Sequence, residues 1–291
     1  MSSLPRARDL ARLVRAPAAL SVPGDVLAGA AAAHRPLRPD LLGMAASSVC
    51  LYWAGMALND YADRDLDAVE RPERPIPSGA VTPAEARAVA CGLTAAGLVA
   101  ALLARGRRGL ATALPLAGAV WAYDLVLKPT PAGAAGMAAA RALNVLGGAG
   151  PGGLRAALPA AATVGLHTAM VTRLSRYEVS GAPPSVPRQS LAVGGAVGAA
   201  VLLRGHRAPA RDRALAAALT AVYAYGGSAP QLTAARAPSA PHVRRAVAAG
   251  IHALIPLQAA LTAAAGRGTE GAALACALPW ARRLGRKVSP T

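Results

Sequence analysis

Carboxylates are concentrated in one short stretch of this chain. Six of its fourteen Asp and Glu residues lie between positions 60 and 73, directly after an uncharged apolar run. On a helix that turns by about 100° per residue, Asp60, Asp63 and Asp67 fall within about 60° of one another, and Asn59 widens that arc to about 100°. Asp65 points to the far side of the same helix. The spacing therefore predicts a helical face that carries three carboxylates and one amide.

Three carboxylates on one face repel one another unless a cation lies between them. Mg²⁺ takes oxygen ligands and is commonly held by a few carboxylates together with the phosphates of a substrate. We therefore predict that Asn59, Asp60, Asp63 and Asp67 bind Mg²⁺ against a diphosphate. A solvated acidic loop and a calcium clip are the alternatives. The spacing is too regular for the first, and the Gly-centred ligand pattern of the second is missing.

Two basic residues are placed to complete a phosphate site. Arg74 lies in a Pro-rich turn at 72–79, and Lys128, one of only two lysines among 31 basic residues, ends a later apolar run. We predict that both contact the diphosphate, because a lysine acts there as a flexible point charge. The alternatives are an Arg74 that faces lipid headgroups and an Asp124–Lys128 helix pair at i, i+4 spacing.

A further polar pair interrupts an apolar run. Arg141 lies in the middle of this run, and Asn144 follows one helical turn later on the same face. Exposing an arginine to lipid at the centre of a bilayer costs about 2.5–3.5 kcal/mol or more, so we expect Arg141 to face the interior. We predict that Arg141 and Asn144 bind phosphate oxygens. The alternative is structural, with both residues paired to Asp124 or Asp25.

The composition indicates what kind of scaffold must position these residues. The 291 residues are 54% hydrophobic, 15% charged and 3% aromatic, with a net charge of +17. A soluble domain is about one quarter charged, so this chain lacks the charge that a soluble surface needs. The few aromatic residues argue against base stacking on nucleic acid. Basic loops at a membrane surface account for the charge better than an Ala-rich soluble helical enzyme does.

Apolar runs long enough to approach a membrane span of about twenty residues recur along the chain. We predict nine of them, at 14–33, 41–59, 82–104, 109–127, 133–152, 156–175, 189–203, 212–235 and 243–266. They are rich in Ala and Gly, which lets helices pack closely in lipid. A tenth run, at 271–281, is too short to span and is expected to be an interfacial helix.

The predicted fold is an all-α polytopic membrane bundle of about nine transmembrane helices around a central cavity. We expect a single domain over 1–291, with a basic interfacial N-terminus at 1–13 and a short C-terminal helix and basic tail at 267–291. If the N-terminus is cytoplasmic, the loops that carry the predicted site share its side. These loops are 59–81, 128–132, 176–188 and 236–242.

The motifs together resemble a known family. Asn59-Asp60-x-x-Asp63-x-x-x-Asp67 followed by Arg74-Pro75-Ile76-Pro77-Ser78-Gly79 resembles the first aspartate-rich motif of the UbiA superfamily of intramembrane prenyltransferases. Tyr123-x-x-x-x-Lys128 and Arg141-x-x-Asn144 resemble that family's Tyr/Lys and Arg/Asn elements. The resemblance implies nine helices around a cavity, Mg²⁺, a prenyl diphosphate donor and an acceptor that is often aromatic.

The second aspartate-rich motif of that family is altered in this chain. Its place is taken by Thr172-Arg173-Leu174-Ser175-Arg176-Tyr177-Glu178, which retains a single carboxylate and is similar to a divergent, EboC-like branch. A second Mg²⁺ would have few ligands here, so one metal ion is expected. We predict that Arg176 helps to neutralise the diphosphate. Glu178 is an additional candidate metal ligand, or it pairs with Arg176.

These observations lead to one main functional hypothesis. The resemblance implies a Mg²⁺-dependent transferase that ionises a prenyl diphosphate and passes the prenyl group to a small aromatic, quinone-like or cyclitol-like acceptor. The expected location is the plasma membrane, with the site facing the cytoplasm and no nucleic acid as partner. Alternatives are an intramembrane terpene cyclase of the same superfamily and, third, a cation-coupled transporter. A transporter predicts an inverted repeat, and the acidic motif has no counterpart in the second half.

Overall fold

The computed structural model describes residues 7–16, 21–280 and 283. Parts of three sequence predictions lie outside the described residues: positions 1–6 of the N-terminal segment, 17–20 of the first span, and most of the tail after 280. The described residues are helical and contain no strand. The helices are α1 Ala7–Leu13, α2 Val22–Ala32, α3 Pro39–Ala62, α4 Arg64–Glu70, α5 Pro83–Arg105, α6 Arg107–Ala122, α7 Gly133–Ala149, α8 Leu154–Ser175, α9 Ser185–Gly205, α10 Ala210–Arg236, α11 Ala240–Ala264 and α12 Gly268–Ala275.

The all-α prediction is confirmed, whereas the number of spans differs from the predicted nine. Each of the nine predicted runs coincides with one helix between α2 and α11, and only α4 has no predicted run. However, only five helical segments of the described chain are both long and apolar enough to cross a membrane. They are Pro39–Ala62, Pro83–Arg105, Arg107–Leu127, Ser185–Gly205 and Ala240–Ala264. Helix α2 has only 11 described residues, too few to cross a bilayer, and α7, with 17, is at the lower limit of a spanning length.

Small residues allow α2 and α7 to pack backbone against backbone. A Cβ atom added at Gly29 would lie 1.7 Å from the carbonyl oxygen of Val145, and one added at Gly148 would lie 2.0 Å from that of Val26. No larger residue fits at either position without moving a helix. This contact fixes the height of α2 against α7 and so brings Asp25 to Arg141.

The predicted acidic face spans a shallow break between two helices. Helix α3 ends at Ala62, Asp63 has φ −87° and ψ 1°, and α4 continues from Arg64 to Glu70. The chain then enters the Pro-rich turn, where the amide of Val81 donates to the carbonyl of Pro75. The helix therefore stops just before Pro72, as the ring of proline requires.

The loops predicted to share one side do meet at one end of the bundle. Arg176 donates to the carbonyl oxygens of Thr130 and Pro129, and the amide of Ala182 donates to the carbonyl of Pro238. These hydrogen bonds join the loop before α7, the loop after α8 and the loop after α10. The acidic stretch after α3 faces the same end, because Asp63 pairs with Lys128.

Candidate functional site

Asp60 lies between two arginines from different parts of the chain. Its Oδ1 accepts from Nη2 of Arg15 at 2.6 Å and from Nη1 of Arg74 at 3.4 Å. The residue is 3% exposed, so its ionised form depends on these two cations. Arg15 follows α1 and has a φ of 44°, a left-handed conformation that non-glycine residues seldom adopt. The turn after α1 thereby directs this guanidinium at the acidic face.

Asp67 shares one of these cations with Asp60. Its Oδ2 accepts from Nη1 of Arg74 at 2.5 Å, and Nη1 of Arg71 lies 4.0 Å from Oδ1. Asp67 is 2% exposed, whereas Asp65, about half a turn away from this face, points into solvent and contacts only Arg64 among the described ion pairs. The predicted division of the acidic helix into a site face and a solvent face is thus present.

Asp63 and Asn59 contact the end of the fourth predicted span. Lys128 Nζ forms an ion pair with Asp63, and Nδ2 of Asn59 donates to Oδ1 of Asp124 at 3.1 Å. Asp124 belongs to a π-helical turn, Tyr123–Leu127, that prolongs α6 and is itself followed by Lys128. Single π turns of this kind recur at functional sites because they change which side chains face a neighbouring helix. Lys128 pairs with Asp63 rather than with Asp124, against the helix-pair alternative.

We call this group the acidic site. Its members converge from the turn after α1, the end of α3, α4, the Pro-rich turn and the π turn: Arg15, Asn59, Asp60, Asp63, Asp67, Arg74, Asp124 and Lys128. The side chains of Arg15 and Lys128 are 35% and 31% exposed, so water reaches the cations even though Asp60 and Asp67 are buried. An incoming anion can therefore approach the cations from outside.

The altered second motif lies next to the acidic site. Arg176 is exposed and is held by the backbone carbonyls of Thr130 and Pro129, in the loop that follows Lys128. The Glu178 carboxyl is partly buried, and burial raises its pKa above the ordinary value, while the charges of Arg71 and Arg244 act in the opposite direction. Glu178 thus lies near the helix that carries Asp67, without an ion pair to Arg176 among the described residues.

Arg141 and Asn144 form a different group, which we call the core network. Nη1 of Arg141 donates to Oδ2 of Asp25 at 2.7 Å, and Nδ2 of Asn144 donates to the same oxygen at 3.0 Å. Nε2 of Gln258 donates to Oδ1 of Asp25 at 2.5 Å, and Nη2 of Arg141 donates to Oγ of Ser21 at 2.8 Å. The structure does not bring Arg141 or Asn144 to the acidic carboxylates, and these contacts correspond to the structural alternative raised for them.

The donor chemistry of the acidic site fits a magnesium ion. The site offers four carboxylates and one side-chain amide, all of which can bind a metal through oxygen, as a hard divalent cation prefers. These groups belong to Asp60, Asp63, Asp67, Asp124 and Asn59. No three Asp, Glu, His or Cys side chains of the described residues converge closely enough to hold a metal by themselves. Arginine and lysine now occupy the spaces between the carboxylates, so substrate phosphate oxygens would have to supply the remaining ligands.

Two members of the acidic site were missed by the sequence reasoning. The sequence indicates no role in the site for Arg15, just inside the first predicted span, and it suggests Asp124 only as a structural partner of Lys128 or of Arg141 and Asn144. No local pattern marks Arg15, because it reaches Asp60 across 45 positions of the chain. The signal for Asp124 was available, since a carboxylate within an apolar run, four residues before Lys128, is unusual in so acid-poor a chain.

Curated relatives align with part of the chain. Digeranylgeranylglyceryl phosphate synthase of Natronomonas pharaonis is 37% identical over 127 residues, which is 43% of this chain and 46% of the relative. The protein of the same name from Methanopyrus kandleri is 41% identical over 125 residues, 42% of this chain and 44% of the relative. The alignment thus spans less than half of the curated relatives.

Solved structures match the fold over nearly the whole chain. A UbiA homologue from Archaeoglobus fulgidus, bound to GPP and Mg²⁺, has a TM-score of 0.58 at 17% identity and covers 83% of this chain and 99% of that chain. A UbiA homologue from Aeropyrum pernix, in its apo form, has a TM-score of 0.54 at 24% identity, with coverage of 93% and 97%. The family model described as the UbiA prenyltransferase family matches residues 22–176, which is more than half of the chain. This chain belongs to the UbiA prenyltransferase family.

Proposed function

We propose that this multi-pass membrane protein is a Mg²⁺-dependent prenyltransferase that takes its prenyl group from a prenyl diphosphate. The observation that carries the proposal is the alternation of carboxylates and cations in the acidic site. Asp60 and Asp67 are buried beside Arg74, and Asp63 is paired with the partly exposed Lys128. Such a site offers both oxygen ligands for a metal and positive charge for phosphate within one small volume.

The first step of the reaction requires the site to stabilise the leaving diphosphate. The bond between C1 of the prenyl chain and the diphosphate oxygen breaks, the oxygen keeps the electron pair, and an allylic carbocation remains. Arg15, Arg74 and Lys128 can neutralise the growing negative charge, which is worth most where water is scarce. Bound Mg²⁺ would be held by Asn59, Asp60, Asp63 and Asp67 and would supply Lewis-acid stabilisation of the diphosphate.

The second half of the reaction depends on the bundle. An acceptor oxygen or carbon attacks the carbocation and then loses a proton, while apolar helices exclude competing water. We propose that Arg176, anchored to the loop that follows Lys128, screens the outer phosphate, and that Glu178 is a further metal ligand. We propose that these functions occupy one domain, 1–291.

The acceptor is proposed from the names of the relatives. Both curated relatives are named as synthases of digeranylgeranylglyceryl phosphate, a product with prenyl chains on a glyceryl phosphate. This favours a prenylglyceryl phosphate acceptor over the aromatic, quinone-like or cyclitol-like acceptors suggested by the resemblance. We further propose the plasma membrane as the location, with the acidic site on the cytoplasmic side where soluble diphosphates are available.

The test uses membranes that contain the full chain and radiolabelled geranylgeranyl diphosphate. Pyrophosphate release and lipid products are measured together, with Mg²⁺ or EDTA, and with geranylgeranylglyceryl phosphate or 4-hydroxybenzoate as acceptor. We expect Mg²⁺-dependent transfer to the glyceryl phosphate. A cyclised hydrocarbon formed without acceptor would instead identify a cyclase.

Matched variants separate the acidic site from general effects on the helix. Asp63→Asn removes the partner of Lys128 and is expected to abolish diphosphate release. Asp65→Asn changes a carboxylate two residues away that faces solvent, and it should leave the rate unchanged. Equal loss of activity in both variants, or no consumption of any prenyl diphosphate by the wild type, would refute the proposal.

A further inference from the structure

A second concave site lies at the end of the bundle opposite to the acidic site. Its volume is about 330 Å³, and it is lined by residues from the ends of α2, α9 and α11 and from the start of α8, including Ala156, Leu261 and Ala264. Helix α8 runs from this pocket to the loop that holds Arg176, so the two sites are separated by about 30 Å along its axis. We call it the distal pocket.

The distal pocket contains two arginines that form no ion pair with any described carboxylate. Nη1 of Arg204 donates to Oγ1 of Thr163 at 2.8 Å, and Nε of Arg207 donates to Nε2 of His206 at 3.2 Å. Each guanidinium has five N–H groups, so most of its donors are unused by these bonds. Neither arginine has a carboxylate within 4.0 Å among the described ion pairs. The carboxylate of Asp212 lies beside Gly266 of the lining and Gly268 of α12, without an ion pair to either arginine.

One wall of the distal pocket holds a strained residue. His34 lines the pocket and has a φ of 52°, which costs free energy for a residue that carries a Cβ atom. Its amide donates to the carbonyl of Ala31, so the turn is fixed by the end of α2. The imidazole of His34 is therefore the third nitrogen-bearing side chain of the lining, beside those of Arg204 and Arg207.

The rest of the lining is apolar and borders an exposed apolar side chain. Ala156 and Ala160 come from α8, and Leu261 and Ala264 come from α11. Leu203 on α9, next to Arg204, is 74% exposed. A ligand with an anionic head at the arginines can therefore lay apolar chains along α9, whereas a free inorganic anion would leave the apolar walls unused.

We propose that the distal pocket binds the phosphate headgroup of an anionic membrane lipid, on the membrane face opposite to the acidic site. Arg204 and Arg207 contact the phosphate oxygens by charge-assisted hydrogen bonds, and the chains of the lipid extend from the apolar walls over Leu203. This binding is independent of prenyl transfer, because none of these residues belongs to the acidic site.

The experiment is native mass spectrometry of the full chain released from micelles with equal amounts of phosphatidylglycerol and phosphatidylcholine. We expect one retained phosphatidylglycerol per chain. The double variant R204Q/R207Q should lower its retention by about 30-fold, since each arginine at an anionic surface contributes roughly one factor of five. R213Q removes an exposed arginine of α10 outside the pocket lining and should retain the lipid.

Two further arms make the outcome decisive. Ala156→Leu fills the mouth of the pocket without changing charge and should also release the lipid, whereas Asp63→Asn should retain it whether or not the chain is active. Glycerol 1-phosphate and inorganic phosphate are added as competitors. Displacement of the lipid at equal concentration would overturn the lipid assignment, and so would undiminished retention by folded R204Q/R207Q and Ala156→Leu.

Discussion

The acidic site and the core network use the same residue types for opposite purposes. In the core network, Asp25 is fully buried, and both of its oxygens accept hydrogen bonds from Arg141, Asn144 and Gln258. In the acidic site, the buried carboxylates of Asp60 and Asp67 depend on cations that are partly exposed. The difference lies in the access of water to the cation.

That difference indicates in which ion pairs a ligand can replace one of the two partners. A fully desolvated pair is costly to break, because removal of one partner leaves an uncompensated charge. A pair in which both partners are partly exposed, such as Lys128 and Asp63, is worth about 0–1 kcal/mol, so a substrate phosphate or metal ion can replace one partner at small cost. The core network is therefore suited to hold α2, α7 and α11 together, and the acidic site is suited to bind ligands.

The largest effect is expected from Asp25→Ala. This change leaves the guanidinium of Arg141 buried without its carboxylate, and we expect the free energy of unfolding to fall by about 3–5 kcal/mol. Thermal unfolding in detergent measures this loss. The double variant Asp25→Ala/Arg141→Met should recover part of it, because the isolated charge is removed as well.

Arg141→Lys tests whether Arg141 acts in the core network or binds diphosphate. If Arg141 acts only within the core network, stability falls and kcat/KM per folded molecule stays near the wild-type value. The sequence-based prediction that Arg141 binds diphosphate requires the reverse, a loss of kcat/KM that exceeds the loss of folded protein. Asn144→Ala separates the same alternatives with a neutral side chain.

The next largest effect is expected from Arg74→Gln. The variant removes the guanidinium that contacts both Asp60 and Asp67, and it removes a cation proposed to stabilise the leaving diphosphate. We expect kcat/KM for the prenyl diphosphate to fall by about 10²–10³-fold, the range found when one preorganised donor is lost. Steady-state pyrophosphate release measures it. Arg74→Lys keeps the positive charge but lacks the planar guanidinium. If it restores less than half of the lost activity, the diphosphate depends on bidentate contacts and not on charge alone.

A more selective effect is expected from Lys128→Met. Because its ion pair with Asp63 is partly exposed, the free energy of unfolding should change by about 1 kcal/mol or less. Activity should nevertheless fall by about 10²-fold if Lys128 contacts the diphosphate. A loss of stability as large as that of Asp25→Ala would show that the two clusters do not differ in the way proposed.

The smallest effect is expected from Glu178→Gln. Burial raises the pKa of this carboxyl in the folded chain, so folding favours its protonated form. The ionised carboxyl therefore costs some stability at neutral pH, and this cost disappears as the pH falls below the pKa of the unfolded chain, about 4.3. We expect Glu178→Gln to stabilise slightly at pH 7 and not at pH 4. A fall in Mg²⁺-dependent activity would identify Glu178 as a metal ligand.

Local periodicity was sufficient to predict much of the acidic site. The i, i+3 and i+7 spacing of Asp60, Asp63 and Asp67 places them on one face in any helix, and Asp65 on the other. The bundle end shared by the four loops also followed from the order of apolar runs. Spans were harder to count, because Ala-rich helices such as α7 gain their stability from packing rather than from hydropathy.

The sequence by itself determined the all-α class, the family, the acidic helix face and the cations that follow it, because each depends on residue type and short-range spacing. Only the tertiary structure decided which charges are paired. Arg15 reaches Asp60 from 45 positions away, and Arg141 reaches Asp25 from 116 positions away. The physical reason is that burial and distance set the strength of an ion pair, and both depend on how helices pack, as the backbone contact at Gly29 and Gly148 fixes α2 against α7.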